Sequence, residues 1–278
     1  MSGRARLDRR AFLVLPALGL VLVLFVGPVL WLLLRSLTDP EPGLQNYAAL
    51  VQRPVFLRVL WNTLQISLSV TVLALLIGYP VAYTMATAGA RLRRALTFVV
   101  LVPFWTSILV RSFAWIVLLQ RRGLVNQVLM VLGLTSQPLP LVYNRTGVLI
   151  GMVQILLPFM IFPLYSVMSR IDPSLAPAAG TLGAPPVRSF LRVTLPLTLP
   201  GVMAGSMLVF VVSLGYYITP ALLGGLGDTM IAQMIEAQIA DFGNWGLASA
   251  LAVALLAITA SLLLTLQRAY SLRSVWRG

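Results

Sequence analysis

Cysteine, histidine and lysine are all absent from this 278-residue sequence, and each absence excludes a class of chemistry. Without cysteine there are no disulfides, thiol nucleophiles or cysteine-ligated metals. Without histidine there is no imidazole base and no histidine-containing zinc site, which leaves seven carboxylates and the hydroxyl groups for catalysis. The phosphate-binding pattern G-x-x-x-x-G-K-[ST], a dinucleotide fingerprint and a metal-ligand cluster are also missing. We therefore expect any energy source to lie in a partner or in an ion gradient.

Charged residues are scarce as well, at 10% of the chain, whereas hydrophobic residues make up 59%. A soluble domain carries about a quarter charged residues, so the composition predicts an integral membrane protein. The net charge of +13 comes wholly from arginine. These arginines are scattered between apolar segments and do not alternate with aromatic residues on one solvated face, which disfavours nucleic-acid binding.

Six apolar segments are long enough to cross a hydrocarbon core of about 30 Å. The approximate bounds that we predict for these spans are 11–34, 63–86, 96–119, 147–168, 202–223 and 246–266. The first segment resembles a signal peptide, but its apolar part is too long and no clean cleavage site follows it, so we predict an uncleaved helix. Short helices are predicted at 46–58 and 229–240, and the short apolar stretch 124–134 predicts an interfacial helix.

The arginines indicate the orientation of these spans, because thirteen of the 20 fall on one side of a six-span chain. They are Arg4, Arg6, Arg9, Arg10, Arg91, Arg93, Arg94, Arg170, Arg188, Arg192, Arg268, Arg273 and Arg277. By the positive-inside rule we predict a cytoplasmic N-terminus at 1–10, a membrane domain at 11–267 with a cytoplasmic loop at 170–201, and a cytoplasmic tail at 268–278. A seven-span alternative that uses 124–134 moves this loop outside, and the arginine distribution disfavours it.

The segment 170–205 is the one long polar interruption between two apolar spans. Four apolar residues in it have the spacing of one face of a short helix: Leu175, Ala178, Ala179 and Leu182. Asp172 or Ser174 is the candidate cap at its start, and Gly183 ends it. A second helix is predicted from about Arg188, with Phe190 on one side. The pattern therefore predicts a small helix-turn-helix on the face of a membrane protein.

A longer series of residues in this segment has a recognisable order and spacing. The series is Ala178, Ala179, Leu182, Gly183, Ala184, Phe190, Val193, Leu195, Pro196, Leu197, Pro200 and Gly201. It resembles the cytoplasmic loop of ABC importer permeases, which carries the EAA motif of that family. Pro177 stands where the motif has its leading acidic residue. Over roughly residues 60–225 the chain is also similar to the first membrane subunit of spermidine/putrescine importers, on Asn62-Thr63, Gly78-Tyr79-Pro80, Val102 to Thr106, Arg111 and Leu156 to Phe159.

The resemblance implies an all-α integral membrane protein with six transmembrane helices, the type I ABC importer permease fold and a cytoplasmic coupling helix. It implies a coupling role towards an ATPase for Leu175, Ala178, Ala179, Gly180, Leu182, Gly183 and Ala184. The implied partners are a second permease subunit, two copies of a cytoplasmic ATPase, an extracytoplasmic solute-binding protein and the lipid bilayer of the bacterial inner membrane. We expect no cofactor on this chain, with ATP and Mg²⁺ on the ATPase.

Five residues are candidates for a substrate pathway: Trp105, Arg111, Tyr216, Tyr217 and Glu236. Aromatic ring faces can hold a cation, and a loop carboxylate can attract one. The alternative is that these residues have structural roles. The aromatic residues then pack in the bundle or anchor it at the membrane interface, Glu236 is simply solvated, and Arg111 extends to the outer interface. A charge in the middle of a bilayer costs about 2.5–3.5 kcal/mol, so Arg111 must face protein, water or that interface.

The function that we predict is the permease subunit of an ATP-driven importer for a small solute, a polyamine above others, and not an enzyme. An ion-gradient-driven secondary transporter is the alternative from a different class, and it requires titratable groups within the spans. A structural or assembly factor is a third alternative. ATP-dependent solute flux separates the three.

Overall fold

The structure is a computed structural model that describes residues 16–275, and the regular elements of that range are all helical. The predicted segment 1–10, the start of the first predicted span and Arg277 lie outside the described residues. The chain forms two compact units. One comprises the described parts of Met1–Leu57 and Ile235–Gly278, and the other comprises Arg58–Met234.

The described helices follow one another along the chain with short connections. They are α1 (Pro16–Thr38), α2 (Gln45–Gln52), α3 (Pro54–Thr87), α4 (Ala90–Leu101), α5 (Ile108–Leu119), α6 (Leu124–Val131), α7 (Arg145–Met168), α8 (Leu175–Thr181), α9 (Pro186–Leu214), α10 (Ile218–Leu223), α11 (Ile231–Ala240) and α12 (Trp245–Val275). Two helices contain π-helical turns, at Leu22–Val26 in α1 and at Phe190–Thr194 in α9. Short 3₁₀ turns lie at Val102–Trp105 and Leu226–Asp228.

Five helices are long and apolar enough to cross a membrane: α1, α3, α7, α9 and the Trp245–Thr265 part of α12. A sixth span exists only if Ala90–Trp105 and Ile108–Val131 count together, because this pair is bent by 104°. The prediction of one straight third span at 96–119 is therefore wrong. Pro103 has no N–H, and the Thr106 backbone N–H and hydroxyl both donate to the Pro103 carbonyl oxygen, at 3.2 and 2.8 Å, which ends the helix.

Several predicted helix boundaries also differ from the structure. The predicted fifth span at 202–223 ends at Leu214, because a turn at Gly215 separates α9 from α10. The predicted second helix of the loop is not separate, since α9 runs without a break from Pro186. The predicted helix at 46–58 is divided by extended backbone at Arg53, which the following Pro54 favours.

The unit formed by α1, α2 and α12 is held by a few polar contacts between the ends of its helices. The buried Asn46 side chain donates to the carbonyl oxygens of Ser36, at 3.0 Å, and Asp39, at 2.8 Å. The Arg35 guanidinium lies 4.5 Å from the ring centre of Trp31 and 5.0 Å from that of Trp245. These contacts join the end of α1 to α2 and to the start of α12.

The Arg58–Met234 unit is built around α7, whose fully buried side chains include Leu156, Met160 and Leu164. Close packing here depends on small residues on the neighbouring helices. A side chain at Gly205 of α9 would place its Cβ 2.8 Å from the Met160 sulfur, and one at Gly78 of α3 would place it 3.0 Å from Met160 Cγ. Lipid tails are as apolar as these side chains, so the stabilisation comes from van der Waals contact and requires this close fit.

Candidate coupling site

The helix α8 is a seven-residue element at the end of α7, and both of its ends are formed by local hydrogen bonds. At its start, Asp172 Oδ1 accepts from the Ser174 backbone N–H, at 2.9 Å, and from the Ser174 hydroxyl, at 2.7 Å. These two bonds stabilise the carboxylate and hold the pKa of Asp172 below its usual range. The two candidate capping residues thus bond to each other, and the prediction that one of them caps the helix with its side chain is wrong. Asp172 is an anion at neutral pH.

The end of α8 is a Schellman motif centred on Gly183. Gly183 has a φ of +82°, its N–H donates to the Gly180 carbonyl oxygen, and the Ala184 N–H donates to that of Ala179, at 2.9 and 3.1 Å. A left-handed φ favours glycine because a Cβ is unfavourable there. The predicted end of this helix is confirmed, and its position fixes the direction in which the chain enters α9.

The surface of α8 and its C-terminal turn is apolar and exposed. Leu182 is 89% exposed, Leu175 is 41% exposed, and Ala178, Gly180 and Gly183 are exposed as well. Ala179 and Ala184 are half-buried. The structure therefore gathers all seven predicted coupling residues on one short element, which we call the α8 surface: Leu175, Ala178, Ala179, Gly180, Leu182, Gly183 and Ala184. Exposed apolar residues grouped outside the spans are typical of an interaction surface.

The α8 surface is followed by α9, whose π-helical turn is anchored on α3. The Phe190 ring meets Tyr79 and Tyr83 edge-on, with ring centres 6.0 and 6.4 Å apart. The buried Thr198 hydroxyl donates to the Leu195 carbonyl oxygen, so the Tyr79 hydroxyl, 2.9 Å away, donates to Thr198. The sequence indicated an apolar side at Phe190, but its ring partners lie more than a hundred residues earlier in the chain.

Two of the predicted pathway residues lie together. Arg111, on α5, is close enough to Tyr216 to act on it electrostatically, and Arg111 Nε is buried without a hydrogen bond among the described residues. The Tyr216 hydroxyl is also buried, with Thr219 as its polar neighbour. Next to them, the hydroxyls of Ser112 and Thr219 are 3.4 Å apart. Arg111 thus faces protein, as the cost of an isolated charge requires.

The other three predicted pathway residues are more exposed. Trp105 ends the 3₁₀ turn and is 77% exposed, and Tyr217 lies just before α10. Neither side chain has a hydrogen bond or ring contact in the part of the chain that the structure describes. Glu236 is exposed on α11 and belongs to the other compact unit. The pathway role of all five residues stays a prediction.

Sequence reasoning missed a polar cluster at the N-terminus of α7. Arg145 Nε lies 3.5 Å from Asp228 Oδ1, and its guanidinium donates to Asn62 Oδ1 at 3.3 Å. The Asn62 amide in turn donates to the Gly227 carbonyl oxygen at 2.6 Å. The cluster ties the connection between α10 and α11 to α3 and α7. The ion pair with Arg145 neutralises the Asp228 carboxylate.

The described residues contain no group of three or more potential metal ligands. The arrangement consists of a short, exposed helix attached to tightly packed spans.

Comparison with known proteins identifies the class. The profile of the family described as binding-protein-dependent transport system inner membrane component matches residues 74–277. The spermidine/putrescine transport system permease protein PotB of Haemophilus influenzae is 38% identical over 229 residues, which cover 82% of this chain and 80% of that protein. The inner membrane ABC transporter permease protein YdcU of Escherichia coli is 33% identical over 267 residues, covering 84% of each chain.

A solved structure agrees with these relatives at the level of the fold. A bacterial ABC transporter involved in the import of the acidic polysaccharide alginate has a chain with a TM-score of 0.72, at 21% sequence identity over 93% of both chains. The chain belongs to the family of inner-membrane components of binding-protein-dependent transport systems. It is therefore an ABC importer permease subunit with the type I fold and a multi-pass protein of the bacterial inner membrane.

Proposed function

We propose that this chain is the permease subunit of an ATP-driven importer and that the α8 surface docks on an ATPase partner. The observation that carries the proposal is the exposed apolar face of α8, which follows the most deeply buried span and ends in a Schellman motif at Gly183. ATP and Mg²⁺ bind on the partner. A second permease subunit completes the pore, two ATPase copies power it, and an extracytoplasmic protein delivers the solute.

The packing of the spans supports a mechanical role for α8. Gly201 and Gly205 bring α9 against α7, where a Cβ on Gly201 would lie 3.2 Å from the Leu164 Cα. Phe190 then links α9 to α3 through Tyr79 and Tyr83. Because these helices are tightly packed, displacement of α8 moves them together and does not deform each one separately. Closure of the ATPases thereby converts an inward-facing cavity to an outward-facing one.

The proposed solute is a polyamine or a similar small cation. The support is the relative from Haemophilus influenzae, whose name specifies spermidine and putrescine. The proposed path includes Trp105, Arg111, Tyr216, Tyr217 and Glu236. The Nε atom of Arg111 is buried in protein, so a cation in the path need not meet a fully exposed guanidinium.

The proposed orientation places α8 and both termini in the cytoplasm. The arginine-rich segments predicted to lie on that side include Arg170, Arg188 and Arg192, which flank α8 and are exposed. The ion-gradient alternative lacks support, because none of the carboxylates among residues 16–275 lies within a candidate span.

The test is ATP hydrolysis by the complex, purified with its co-expressed partners and reconstituted in lipid. The binding protein is loaded in turn with putrescine, with spermidine and with non-cationic solutes. Stimulation by the loaded polyamines alone is expected. Stimulation only by a different solute would refute the polyamine assignment and retain the importer. If no ATPase co-purifies with the chain, the ATP-driven role is refuted.

A further inference from the structure

A cavity of about 390 Å³ opens where the end of α3, the connection between α7 and α8, and α9 meet, all within the Arg58–Met234 unit. Its lining includes Tyr83, Thr87, Ser169, Asp172 and Thr198. The volume falls within the range of about 300–1,000 Å³ that is typical of small-molecule sites. Of the α8 surface only Leu175 contributes to the lining, so the cavity is separate from the proposed docking face.

The charge of the lining has one sign. Among the described residues that line the cavity, Asp172 alone carries a charge, and the exposed Arg170 and Arg192 do not contribute to the lining. Asp172 Oδ1 accepts both bonds from Ser174, whereas Oδ2 has no hydrogen-bond or ion-pair partner among the side chains that the structure describes. One oxygen of an anionic carboxylate is thus available to a ligand.

Three of the hydroxyls in the lining already donate their protons to backbone carbonyl oxygens. The Thr87 hydroxyl donates to the Tyr83 carbonyl oxygen at 2.9 Å, and the Ser169 hydroxyl donates to that of Ser166 at 3.3 Å. The Thr198 hydroxyl donates to Leu195. A hydroxyl has a single proton, so each of these groups presents lone pairs to the cavity. Together with the Asp172 carboxylate, these lone pairs suit a ligand that brings several N–H donors and a positive charge.

We propose that this cavity binds the ammonium group of a small alkylamine, with Asp172 as its counter-ion and the hydroxyls of Thr87 and Ser169 as acceptors. The ammonium belongs either to a free amine or to a phosphatidylethanolamine headgroup. The binding site follows from the cavity itself, and only its assignment to the cytoplasmic side rests on the proposed function. A ligand there touches α3, the α7–α8 connection and α9 at once, so occupancy restrains the attachment of α8.

The absence of cysteine from this chain allows a direct test. Ala86→Cys places one thiol in the cavity lining, and Gly89→Cys places one three residues further on, where a Cβ meets no atom within 4 Å. The complete complex is held in nanodiscs of phosphatidylcholine and phosphatidylglycerol, without ATP or binding protein. Alkylation of each thiol by a membrane-impermeant maleimide is followed with butylammonium, putrescine or neutral 1,4-butanediol present.

We expect the amines to slow alkylation at Ala86→Cys at least about fivefold at concentrations well above the dissociation constant, by mass action. Butanediol should have no effect, and neither should any additive at Gly89→Cys. Adding Asp172→Asn to the Ala86→Cys chain should abolish the protection, whereas adding Asp241→Asn should not. In nanodiscs that contain phosphatidylethanolamine, protection without added amine would identify the lipid headgroup as the ligand.

Equal alkylation rates with and without amine in all lipids, or protection that persists in Asp172→Asn, would overturn the proposal. A thiol at residue 86 that is unreactive in phosphatidylcholine and phosphatidylglycerol before any amine is added would also overturn it, because a partner subunit then fills the cavity. None of these readouts depends on transport, so they are independent of the ATP hydrolysis test.

Discussion

The helices α7 and α8 follow one another in the chain and are joined by only six residues, yet α7 is largely buried and α8 is largely exposed. α7 is apolar enough to cross a membrane and contains the most deeply buried side chains of its unit. The described side chains of α8 are exposed, apart from the half-buried Ala179. The contacts of α7 are made with neighbouring helices, whereas the end of α8 is set by hydrogen bonds within its own segment. Changes in α7 should therefore alter the amount of folded protein, and changes in α8 should alter activity.

The largest effect is expected from Gly205→Leu, at the contact between α9 and α7. A Cβ there already lies 2.8 Å from the Met160 sulfur and 3.1 Å from the Met160 carbonyl oxygen. Overpacking of this kind costs about 1–3 kcal/mol, so we expect about tenfold less folded complex after solubilisation, measured by size-exclusion chromatography. Gly19→Leu in α1, where a Cβ meets no atom within 4 Å, is the control. Wild-type yield for Gly205→Leu would contradict the close contact.

At the α8 surface we expect Gly183→Asp to lower ATP-driven uptake about tenfold or more, because the new charge must lose its water when the apolar face docks. The amount of protein in the membrane should change little, since a Cβ at Gly183 meets no atom within 4 Å and Asp is one of the residues that tolerate a left-handed backbone best. Gly183→Asn is the matched control. It has nearly the same shape and the same left-handed backbone but no charge, and it should transport within about threefold of wild type. Equal uptake by both variants would refute docking through this face.

Phe190→Ala tests the contact by which α9, the helix that follows the α8 surface, packs on α3. It removes two edge-on ring contacts, each worth about 0.5–1.5 kcal/mol, and should lower the solute transported per ATP hydrolysed about threefold to tenfold. Hydrolysis itself should persist, because Phe190 is not part of the α8 surface. The control is Phe98→Ala on α4, whose ring is 68% exposed. If Phe190→Ala left the amount of solute transported per ATP unchanged, the contacts of Phe190 with α3 would not be needed for coupling.

The smallest effect is expected at the N-terminus of α7, where Asp228→Asn breaks the ion pair with Arg145. This pair is partly exposed, with 41% of the Arg145 side chain accessible, so the loss should be no more than about 1 kcal/mol. Thermal unfolding of the complex should shift down by a few degrees at most. In a double-mutant cycle, Arg145→Gln should add little once Asp228 has been changed. Full additivity of the two substitutions would show that the pair does not interact.

The sequence allowed prediction of those parts of the fold that depend on neighbouring residues. Span existence follows from apolar length, and the end of α8 follows from Gly183. The broken third span was missed although Pro103 was visible, because proline is tolerated within a helix when the bundle satisfies the freed carbonyl groups. Pro158 and Pro163 lie inside α7 without breaking it, whereas Pro103 lies in the 3₁₀ turn at which the third span is broken.

The candidate site was predictable to a similar extent. The seven residues of the α8 surface were identified from their order and spacing, and the structure places them on one element. The ring contacts of Phe190, the bond between Tyr79 and Thr198, and the cluster of Arg145 with Asn62 and Asp228 were not identified. Each joins segments that are distant in the chain, and no local pattern encodes which distant partner will be adjacent.

By itself the sequence determined that this protein enters a membrane and that a short capped helix lies outside its spans. Both properties arise from interactions over a few consecutive residues, namely apolar length and local hydrogen bonding. Only the tertiary structure decided which apolar helix is buried, which glycines carry close contacts and which lone pairs line the cavity beside Asp172. These depend on the shapes of helices brought together from distant parts of the chain, and van der Waals contact is decided by differences of less than an ångström.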